Sequence, residues 1–229
     1  MDISNQKNYW NGIAWGYNGK FGYETSEGNL KILRKTEMIM STIDEPENAN
    51  VLEIGCGTGF YTSYFAKKLE HITAIDISEN MLFQAHRTDN VKYQLCDIHE
   101  LPFEDGSFDA VIGTYILQYL NMSKALREIH RVLKPWGTVS FIEINTLNPI
   151  CFLKTKVGFV KRIMGISKEA QSFLKWELVK EFEYHGFSEL ETTMLEIFPR
   201  KRRLNETLER IPLLREIAGT ILIKGRREQ

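Results

Sequence analysis

Between residues 49 and 141, short apolar runs rich in β-branched residues alternate with longer stretches of helical periodicity. This alternation is typical of parallel βαβ units. The apolar runs predict five strands, at 50–54, 72–75, 91–95, 108–113 and 138–144. Helices are predicted between the strands, so the expected fold class is a doubly wound α/β domain.

Helix-end signals support this pattern. Ser78 is a good N-cap for the apolar run that follows it, and Pro135 is expected to end the helix before the fifth strand. The first 48 residues start with an aromatic and glycine-rich stretch and continue into a helix predicted from about 29 to 42. After the fifth strand come an insertion, a further helix and two strand-like runs, at 189–197 and 218–224.

These segments predict one domain that spans the whole chain, 1–229. It would consist of an N-terminal helical cover, a cofactor-binding core, an inserted substrate cover and the C-terminal part of the sheet. The corresponding ranges are 1–48, 49–145, 146–172 and 173–229.

Composition narrows the classes of function. An apolar fraction of 43% and a net charge of -1 are typical of a globular protein with no general attraction to nucleic acid or membranes. The N-terminus lacks a signal-peptide pattern and no segment is apolar for long enough to span a bilayer, so we expect a cytoplasmic protein. Cys56, Cys96 and Cys151 are widely spaced and predict neither a disulfide framework nor a metal site.

The turn after the first predicted strand is rich in glycine. In the stretch VLEIGCGTGF the strand ends at Ile54 and a helix is predicted from near Gly59, with Gly55 and Gly57 between them. Glycine allows positive φ and close approach of a ligand to the backbone, and open α/β folds bind ligands at this edge of the sheet. By itself the turn fits either an ordinary tight loop or a nucleotide site.

Two acidic residues favour the nucleotide alternative. Asp76 ends the second predicted strand, where a carboxylate can accept hydrogen bonds from both hydroxyls of a ribose. Asp97 ends the third predicted strand, where it could accept a hydrogen bond from an adenine amino group. Each acid alone is typical of a loop or an N-cap. Together with the glycine turn they predict an adenosine site.

These motifs resemble those of class I S-adenosylmethionine-dependent methyltransferases, especially the subgroup that includes the quinone-biosynthesis C-methyltransferases. The resemblance covers about 51–141 and rests on VLEIGCGTG, AIDIS, CDIHELPFEDGSFDAV and EIHRVLKPWGTVSF. It implies a Rossmann-like, seven-stranded, mostly parallel sheet with helices on both faces and an antiparallel last strand. It also implies S-adenosylmethionine as cofactor, with S-adenosylhomocysteine as its product, and a small-molecule methyl acceptor.

The resemblance implies a role for each matched position. Glu53 and the glycine turn would hold the methionine end, Asp76 the ribose and Asp97 the adenine edge, while Thr114 would face the sulfonium and the acceptor. The implied cofactor-binding residues are Glu53, Gly55, Cys56, Gly57, Thr58, Gly59, Asp76, Ile77, Met81, Asp97, Ile98 and Thr114.

The N-terminal aromatic residues are candidates for a cover over the cofactor. Ring faces attract a sulfonium, so Tyr9, Trp10, Trp15 and Tyr17 could close over it, with Tyr17 as the preferred contact. A packed N-terminal cover with no ligand contact is the alternative.

The acceptor side is less sharply defined. Tyr115, Gln118 and Tyr119 follow the fourth predicted strand and are predicted to line the acceptor pocket, although ring packing explains the tyrosines equally well. Gln118 stands where many relatives have histidine, and Trp136 where they commonly have glycine. Each of the five histidines is interpreted as a surface or helix-packing residue, so no catalytic residue is assigned.

The inserted segment 150–168 contains five basic residues and no acidic one. As one helix it would carry two nearly opposite apolar stripes, one packed on the core and one offered to a lipid-like substrate, a membrane surface or a partner subunit. The alternative is that Gly158 and Gly165 divide it into short pieces. Peripheral membrane contact is therefore one expectation, and the oligomeric state stays open.

Other functions fit parts of the pattern. A dinucleotide turn, G-x-G-x-x-G, requires glycine where this chain has Phe60, so a nicotinamide-dependent oxidoreductase is the least favoured alternative. The basic run at 199–203 could attract RNA, which makes RNA methylation an alternative. The run lacks interleaved aromatic residues, however, so nucleic acid is not an expected partner. Protein methylation and a cofactor-binding interaction module without turnover are further alternatives. We expect methylation of a small molecule, with an apolar acceptor favoured and the methylated atom left open.

Overall fold

The computed structural model describes residues 3–164, 166–167, 170–196 and 211–229. The helices are α1 (Ile3–Ile13), α2 (Tyr17–Phe21), α3 (Ser26–Met40), α4 (Thr62–Phe65), α5 (Glu79–Phe83), α6 (Met122–Val132), α7 (Pro149–Lys156), α8 (Gly158–Ile163), α9 (Lys175–Tyr184) and α10 (Pro212–Arg215). The strands are β1 (Asn50–Ile54), β2 (His71–Asp76), β3 (Val91–Leu95), β4 (Phe108–Thr114), β5 (Leu133–Ile144), β6 (Phe187–Leu195) and β7 (Thr220–Arg227). Within these ranges no helix is long and apolar enough to cross a membrane.

In the described part of the chain, seven strands form one sheet in the order β3-β2-β1-β4-β5-β7-β6. Strands β1 to β5 pair in parallel, and β7 runs antiparallel to both of its neighbours, β5 and β6. The implied sheet, mostly parallel with an antiparallel last strand, is confirmed. The strand order reverses between β1 and β4, and the crevice beyond the carboxyl ends of such strands is where open α/β sheets bind ligands.

Helices cover both faces of the sheet because the central strands are apolar on both sides. Leu52 on one face belongs to a buried cluster with Leu126 of α6 and Phe182 of α9. Val51 on the opposite face belongs to a second cluster with Ile32 of α3. Packing on both faces therefore holds β1 in place, and with it the start of the glycine turn that follows the strand.

The ends of several elements differ from the pattern. The helix before β5 ends at Val132, three residues before Pro135, because the backbone at Leu133 already pairs with Phe108 of β4. Strand β5 therefore starts five residues earlier than the predicted 138. Trp136 has a φ of 64°, in the left-handed region that favours glycine, and its turn lies at the edge of the sheet opposite the carboxyl ends of the parallel strands.

The N-terminal cover contains two helices that the sequence pattern did not predict, α1 and α2. Helix α1 is attached to the start of α5, because Asn11 Oδ1 accepts hydrogen bonds from Ser78 Oγ at 2.6 Å and from the Asn80 amide at 3.2 Å. The helix predicted from about 29 is present as α3 but begins at Ser26. Thr25 caps it by accepting a hydrogen bond from the Gly28 amide at 3.0 Å.

Two residues of the motif EIHRVLKPWGTVSF, Glu128 and Arg131 of α6, hold a loop of the site in place. Glu128 Oε2 accepts a hydrogen bond from the Leu101 amide, and Arg131 donates to the carbonyl oxygens of Leu101 and Phe103, each at 2.7 to 2.8 Å. Arg131 also pairs with Glu128 at 2.8 Å. These bonds hold the loop after β3, which contains Asp97.

The inserted segment is not one continuous helix. Val157 has an extended backbone, with φ -98° and ψ 105°, and separates α7 from α8. The expectation of a single helix with two apolar stripes is therefore wrong, and the alternative of short pieces is right at Gly158. Gly165 lies outside the described residues. Asn148 caps α7 by accepting hydrogen bonds from the amides of Ile150 and Cys151, both at 3.1 Å.

Candidate active site

A cavity of about 820 Å³ opens at the carboxyl edge of the sheet. Its walls come from the turn after β1, the ends of β2 and β4, the N-terminal helices, α7, the residue that follows β6 and the start of β7. The predicted site residues that line it are Tyr17, Gly55, Gly57, Asp76, Ile77, Met81, Asp97, Ile98, Thr114, Tyr115, Gln118 and Tyr119. The fold thus brings residues from four strand ends and the N-terminal cover to one surface.

The glycine turn leaves its backbone accessible from the cavity. Gly57 has a φ of 54°, and a methyl group added to it would meet no atom within 4 Å. Gly59 also has a positive φ, but a methyl group there would lie 2.7 Å from the hydroxyl oxygen of Tyr93. Gly57 therefore leaves room for a ligand against the backbone, whereas Gly59 allows close internal packing.

Asp76 holds the glycine turn in place. Its Oδ2 accepts a hydrogen bond from the Gly57 amide at 2.8 Å, and its Oδ1 accepts one from the Ser78 amide at 2.9 Å. Burial raises the pKa of Asp76 to about 6, although the bonds from Ser78 and Gly57 favour the charged form. A carboxylate has about four lone-pair positions, so acceptor positions remain for the hydroxyls of a ribose.

Asp97 is oriented by a histidine that sequence reasoning assigned no role. Asp97 Oδ1 accepts a hydrogen bond from the His99 amide at 3.0 Å and lies 2.7 Å from His99 Nδ1. His99 Nε2 accepts a hydrogen bond from the Asn121 amide at 3.1 Å, so this network assigns the ring proton to Nδ1. His99 lines the cavity and is not the surface or helix-packing residue that we expected.

Aromatic rings from the N-terminal helices cover the same end of the cavity. The ring of Trp10 meets that of Tyr119 edge-on at 4.8 Å and that of Tyr17 at 6.2 Å. Burial raises the pKa of Tyr17 well above its usual value, so its hydroxyl stays protonated near neutral pH. Trp15 does not take part: it is 68% exposed and packs beside Phe83.

Four of the predicted cofactor residues belong to β1 or to the turn but do not line the cavity: Glu53, Cys56, Thr58 and Gly59. Glu53 is 1% exposed, and burial raises its pKa to about 7. Thr58 donates a hydrogen bond to Asn18 Oδ1 at 2.6 Å and so attaches α2 to the turn. The role of Glu53 at the methionine end stays a prediction.

The loop after β4 is held in place from β5. Tyr115 has a φ of 57°, unusual for a residue with a large side chain, and its amide donates to the Ile142 carbonyl at 2.7 Å. Glu143 Oε1 accepts a hydrogen bond from the Leu117 amide at 2.7 Å. Glu143 is fully buried, and burial raises its pKa to about 8. No local sequence signal distinguished Glu143, because its partner is 26 residues away.

Two charged residues that sequence reasoning also missed stand at the far end of the cavity. Lys35 of α3 and Glu196, which follows β6, form an ion pair of 2.9 Å and line the cavity wall. They are 161 residues apart in the chain, so no motif or spacing could have linked them.

The fold and this cavity define an α/β protein with a candidate ligand site at the carboxyl edge of its sheet. The methyltransferase domain family matches residues 52–141. A demethylmenaquinone methyltransferase of Staphylococcus aureus is 34% identical over 181 residues, which cover 69% of this chain and 74% of that protein. The chain therefore belongs to the class I S-adenosylmethionine-dependent methyltransferases, and the alternative of a nicotinamide-dependent oxidoreductase is excluded.

Other similar proteins match a shorter part of the chain or share only its fold. A malonyl-[acyl-carrier protein] O-methyltransferase of Buchnera aphidicola is 37% identical over 120 residues, which are 51% of this chain and 49% of that protein. The chain thus spans about half the length of the first curated relatives that it matches. A methyltransferase of Haloferax volcanii, solved in complex with the Trm112 activator, superimposes with a TM-score of 0.73 at 20% identity and covers 96% of this chain and 98% of that one. This last similarity shows the fold.

The residues of the cavity fit S-adenosylmethionine, the methyl donor of the family. The open backbone at Gly57 can admit the methionine end, and the Asp76 carboxylate retains acceptor positions for a ribose. Asp97 Oδ1 interacts with His99, which leaves Oδ2 as the candidate acceptor for an adenine amino group. The roles that the sequence resemblance implies for Gly57, Asp76 and Asp97 stay predictions.

Proposed function

We propose that this chain transfers a methyl group from S-adenosylmethionine to a small molecule with an apolar, lipid-like body. The continuity of the cavity carries the proposal. The cavity is lined near the ends of β2 and β3 by Asp76 and Asp97, which suit an adenosine. It is also lined by Thr114 and Tyr115 at the end of β4 and by Cys151 of α7. Donor and acceptor bound in one cavity can be held in line, and such alignment supplies a large part of the acceleration of a displacement reaction.

The chain's own residues would bind the cofactor, orient it toward the acceptor and exclude water from the site. Bound S-adenosylmethionine supplies a methyl group that its sulfonium already activates. Asp76 and Asp97 would hold its adenosine end, and Trp10 and Tyr17, which also line the cavity, would cover it from the N-terminal side. Because water is excluded from such a site, each electrostatic contact within it becomes stronger. Thr114, the last residue of β4, also lines the cavity, and we propose that the acceptor meets the methyl group beside it.

The relatives favour an apolar acceptor. The Staphylococcus aureus relative, of which the chain covers 74%, is named for demethylmenaquinone, a lipid-like quinone. The Buchnera aphidicola relative is named for malonyl-[acyl-carrier protein], but the chain covers only 49% of it. The ring-rich lining of the cavity, with Tyr23, Tyr61 and Tyr115, also suits an aromatic body better than a small polar one.

Calorimetric titration followed by a transfer assay tests the proposal. We expect S-adenosylmethionine and S-adenosylhomocysteine to bind and NADH not to bind. Labelled methyl groups should then pass to a reduced naphthoquinone that lacks the ring methyl group. The same assay includes malonyl-loaded carrier protein and total RNA as competing acceptors. Transfer to RNA or to carrier protein alone would contradict the small apolar acceptor, and cofactor binding without any transfer would favour an interaction module.

We further propose that α7 and α8 contact an anionic lipid surface. Large apolar side chains on these helices are exposed: Phe152, Leu153, Phe159, Ile163 and Met164, here called the α7–α8 surface. Phe159 and Ile163 are the most exposed, at 72% and 69%, and lie one turn apart on α8.

The charge of the segment complements anionic lipid headgroups. Lys156 and Arg162 are exposed among these apolar side chains, and the described residues of the insertion include no acidic side chain. Apolar residues interleaved with basic ones are typical of helices that lie in a membrane interface. Met164 also lines the cavity, so a lipid-like acceptor could pass from the surface to the site.

A vesicle-binding assay tests the α7–α8 surface. The double substitution Phe159→Ser and Ile163→Ser should reduce partition onto vesicles of phosphatidylglycerol and phosphatidylcholine by about tenfold or more, because it removes two inserted side chains. Tyr184→Ser, which removes an aromatic residue that is 83% exposed on α9, is the matched control and should leave partition unchanged. Equal binding of all three proteins, or equal binding to uncharged vesicles, would refute the assignment.

A further inference from the structure

The Lys35–Glu196 ion pair lies at the far end of the cavity, away from the adenosine residues. The two side chains are only 6% and 11% exposed, and the distance between Lys35 Nζ and Glu196 Oε2 is 2.9 Å. Both residues line the cavity, beside Tyr115 and Cys151. Burying two charges costs desolvation that their attraction seldom exceeds, so such a pair is weak support for a purely stabilising role.

The backbone around the pair is held in unusual conformations. Tyr115 and Glu196 both have positive φ, 57° and 61°, although neither is glycine. Residues in this region of φ cost free energy and cluster at sites that clamp ligands. Here the two side chains converge on Lys35: the ammonium group lies 5.4 Å from the ring centroid of Tyr115 and donates its hydrogen bond to Glu196.

The charge state of Lys35 is set by its surroundings. Burial would lower the pKa of Lys35, but Tyr61 and Glu196 more than offset this, and the pKa lies above its usual value. The side chain is therefore an ammonium group with three N–H donors, one of which reaches Glu196. The pair thus presents strong donors and a carboxylate acceptor side by side on an apolar, ring-lined wall.

We propose that Lys35 and Glu196 bind a hydroxyl group on the ring of the methyl acceptor. The inference rests on the proposed function and names the chemical class of its acceptor, a hydroxylated aromatic compound. A hydroxyl group is donor and acceptor at one atom, so its oxygen can accept from the Lys35 ammonium while its proton is donated to Glu196. A carboxylate on the ligand would meet repulsion from Glu196, and a hydrocarbon would cover the ion pair without adding a hydrogen bond to either member.

Binding of three matched probes tests this inference without turnover. 1-Naphthol, naphthalene and 1-naphthoate share one ring system and differ only in the polar group. Each is titrated into the protein saturated with S-adenosylhomocysteine. We expect 1-naphthol to bind at least about tenfold more tightly than the other two, because only its hydroxyl can both accept from Lys35 and donate to Glu196.

Substitutions assign that preference to the pair. Lys35→Met and Glu196→Gln should each reduce 1-naphthol affinity by about tenfold or more and leave naphthalene binding nearly unchanged. Lys134→Met is the matched control: it removes another lysine–carboxylate pair, with Asp109 at 2.7 Å, at the opposite edge of the sheet. Affinity for S-adenosylhomocysteine reports whether each variant is folded.

The outcomes separate this inference from the proposed function. Equal affinity for 1-naphthol and naphthalene, no measurable binding of 1-naphthol, or unchanged 1-naphthol affinity in both variants would overturn the hydroxyl site. Each of these results is compatible with binding of S-adenosylmethionine and with methyl transfer to another acceptor. Loss of cofactor binding in the unmodified protein would instead overturn the proposed function.

Discussion

Replacing Asp76 with alanine is expected to weaken the binding of S-adenosylmethionine by about 100-fold, since charge-assisted hydrogen bonds contribute about 1.5–3 kcal/mol each. The substitution removes the acceptor proposed for the ribose hydroxyls. It also removes the carboxylate that accepts from the amides of Gly57 and Ser78, so the glycine turn loses its anchor. Calorimetric titration of both proteins with S-adenosylmethionine measures the effect.

The control for this substitution is Asp109→Ala. Asp109 also accepts a backbone hydrogen bond, from the Asn50 amide at 3.0 Å, but it lies at the opposite edge of the sheet. Its removal should leave cofactor affinity unchanged. Unchanged affinity in Asp76→Ala would instead refute the proposed ribose contact.

The pH dependence of binding gives a second readout for Asp76. Burial raises the pKa of Asp76 to about 6 in the free protein. The charged carboxylate is the stronger acceptor, so affinity for S-adenosylmethionine should fall as the pH decreases through about 6. This dependence should be absent from Asp76→Ala.

Replacing Glu143 with glutamine should stabilise the protein at alkaline pH. Burial raises the pKa of Glu143 from 4.5 to about 8, so folding favours the neutral carboxyl group. Stability from the neutral form is fully present below pH 4.5, the usual value, and is lost as the pH rises through about 8. Glutamine cannot ionise and can still accept from the Leu117 amide. Denaturant unfolding should therefore show similar stability near pH 5 and a gain of at least about 1 kcal/mol near pH 9.

Glu128→Gln provides a control of opposite sign. The hydrogen bond from Arg131 is the largest influence on Glu128 and lowers its pKa below the usual value. Its contribution is therefore present above the unfolded pKa and is lost as the pH falls through the folded value. Glu128→Gln should destabilise the protein near neutral pH and have little effect in acid. A Glu143→Gln variant with the same difference from the unsubstituted protein at pH 5 and pH 9 would contradict the assigned pKa.

The sequence by itself determined the five parallel strands and the candidate cofactor residues at their ends. The five parallel strands follow from local apolar runs, because a strand buried on both faces must be apolar at nearly every position. The glycine turn, Asp76 and Asp97 could be placed together because parallel strands bring their carboxyl ends to one edge. The Ser78 cap was also predictable, since a capping side chain and the amide it accepts from are three residues apart.

Tertiary structure decided the rest of the site. His99 orients Asp97 through a local hydrogen bond, but the ring of His99 is itself held by a hydrogen bond from the distant Asn121 amide to Nε2. Glu143 of β5 likewise accepts from the Leu117 amide, which follows the neighbouring strand β4. Lys35 meets Glu196 only because α3 covers the same edge at which β6 ends. Local periodicity encodes burial and backbone conformation within an element, whereas contacts between distant elements leave no repeating pattern in the chain. The candidate cofactor residues were therefore predictable from short motifs, whereas the residues proposed for the acceptor came together only when the covers were packed onto the sheet.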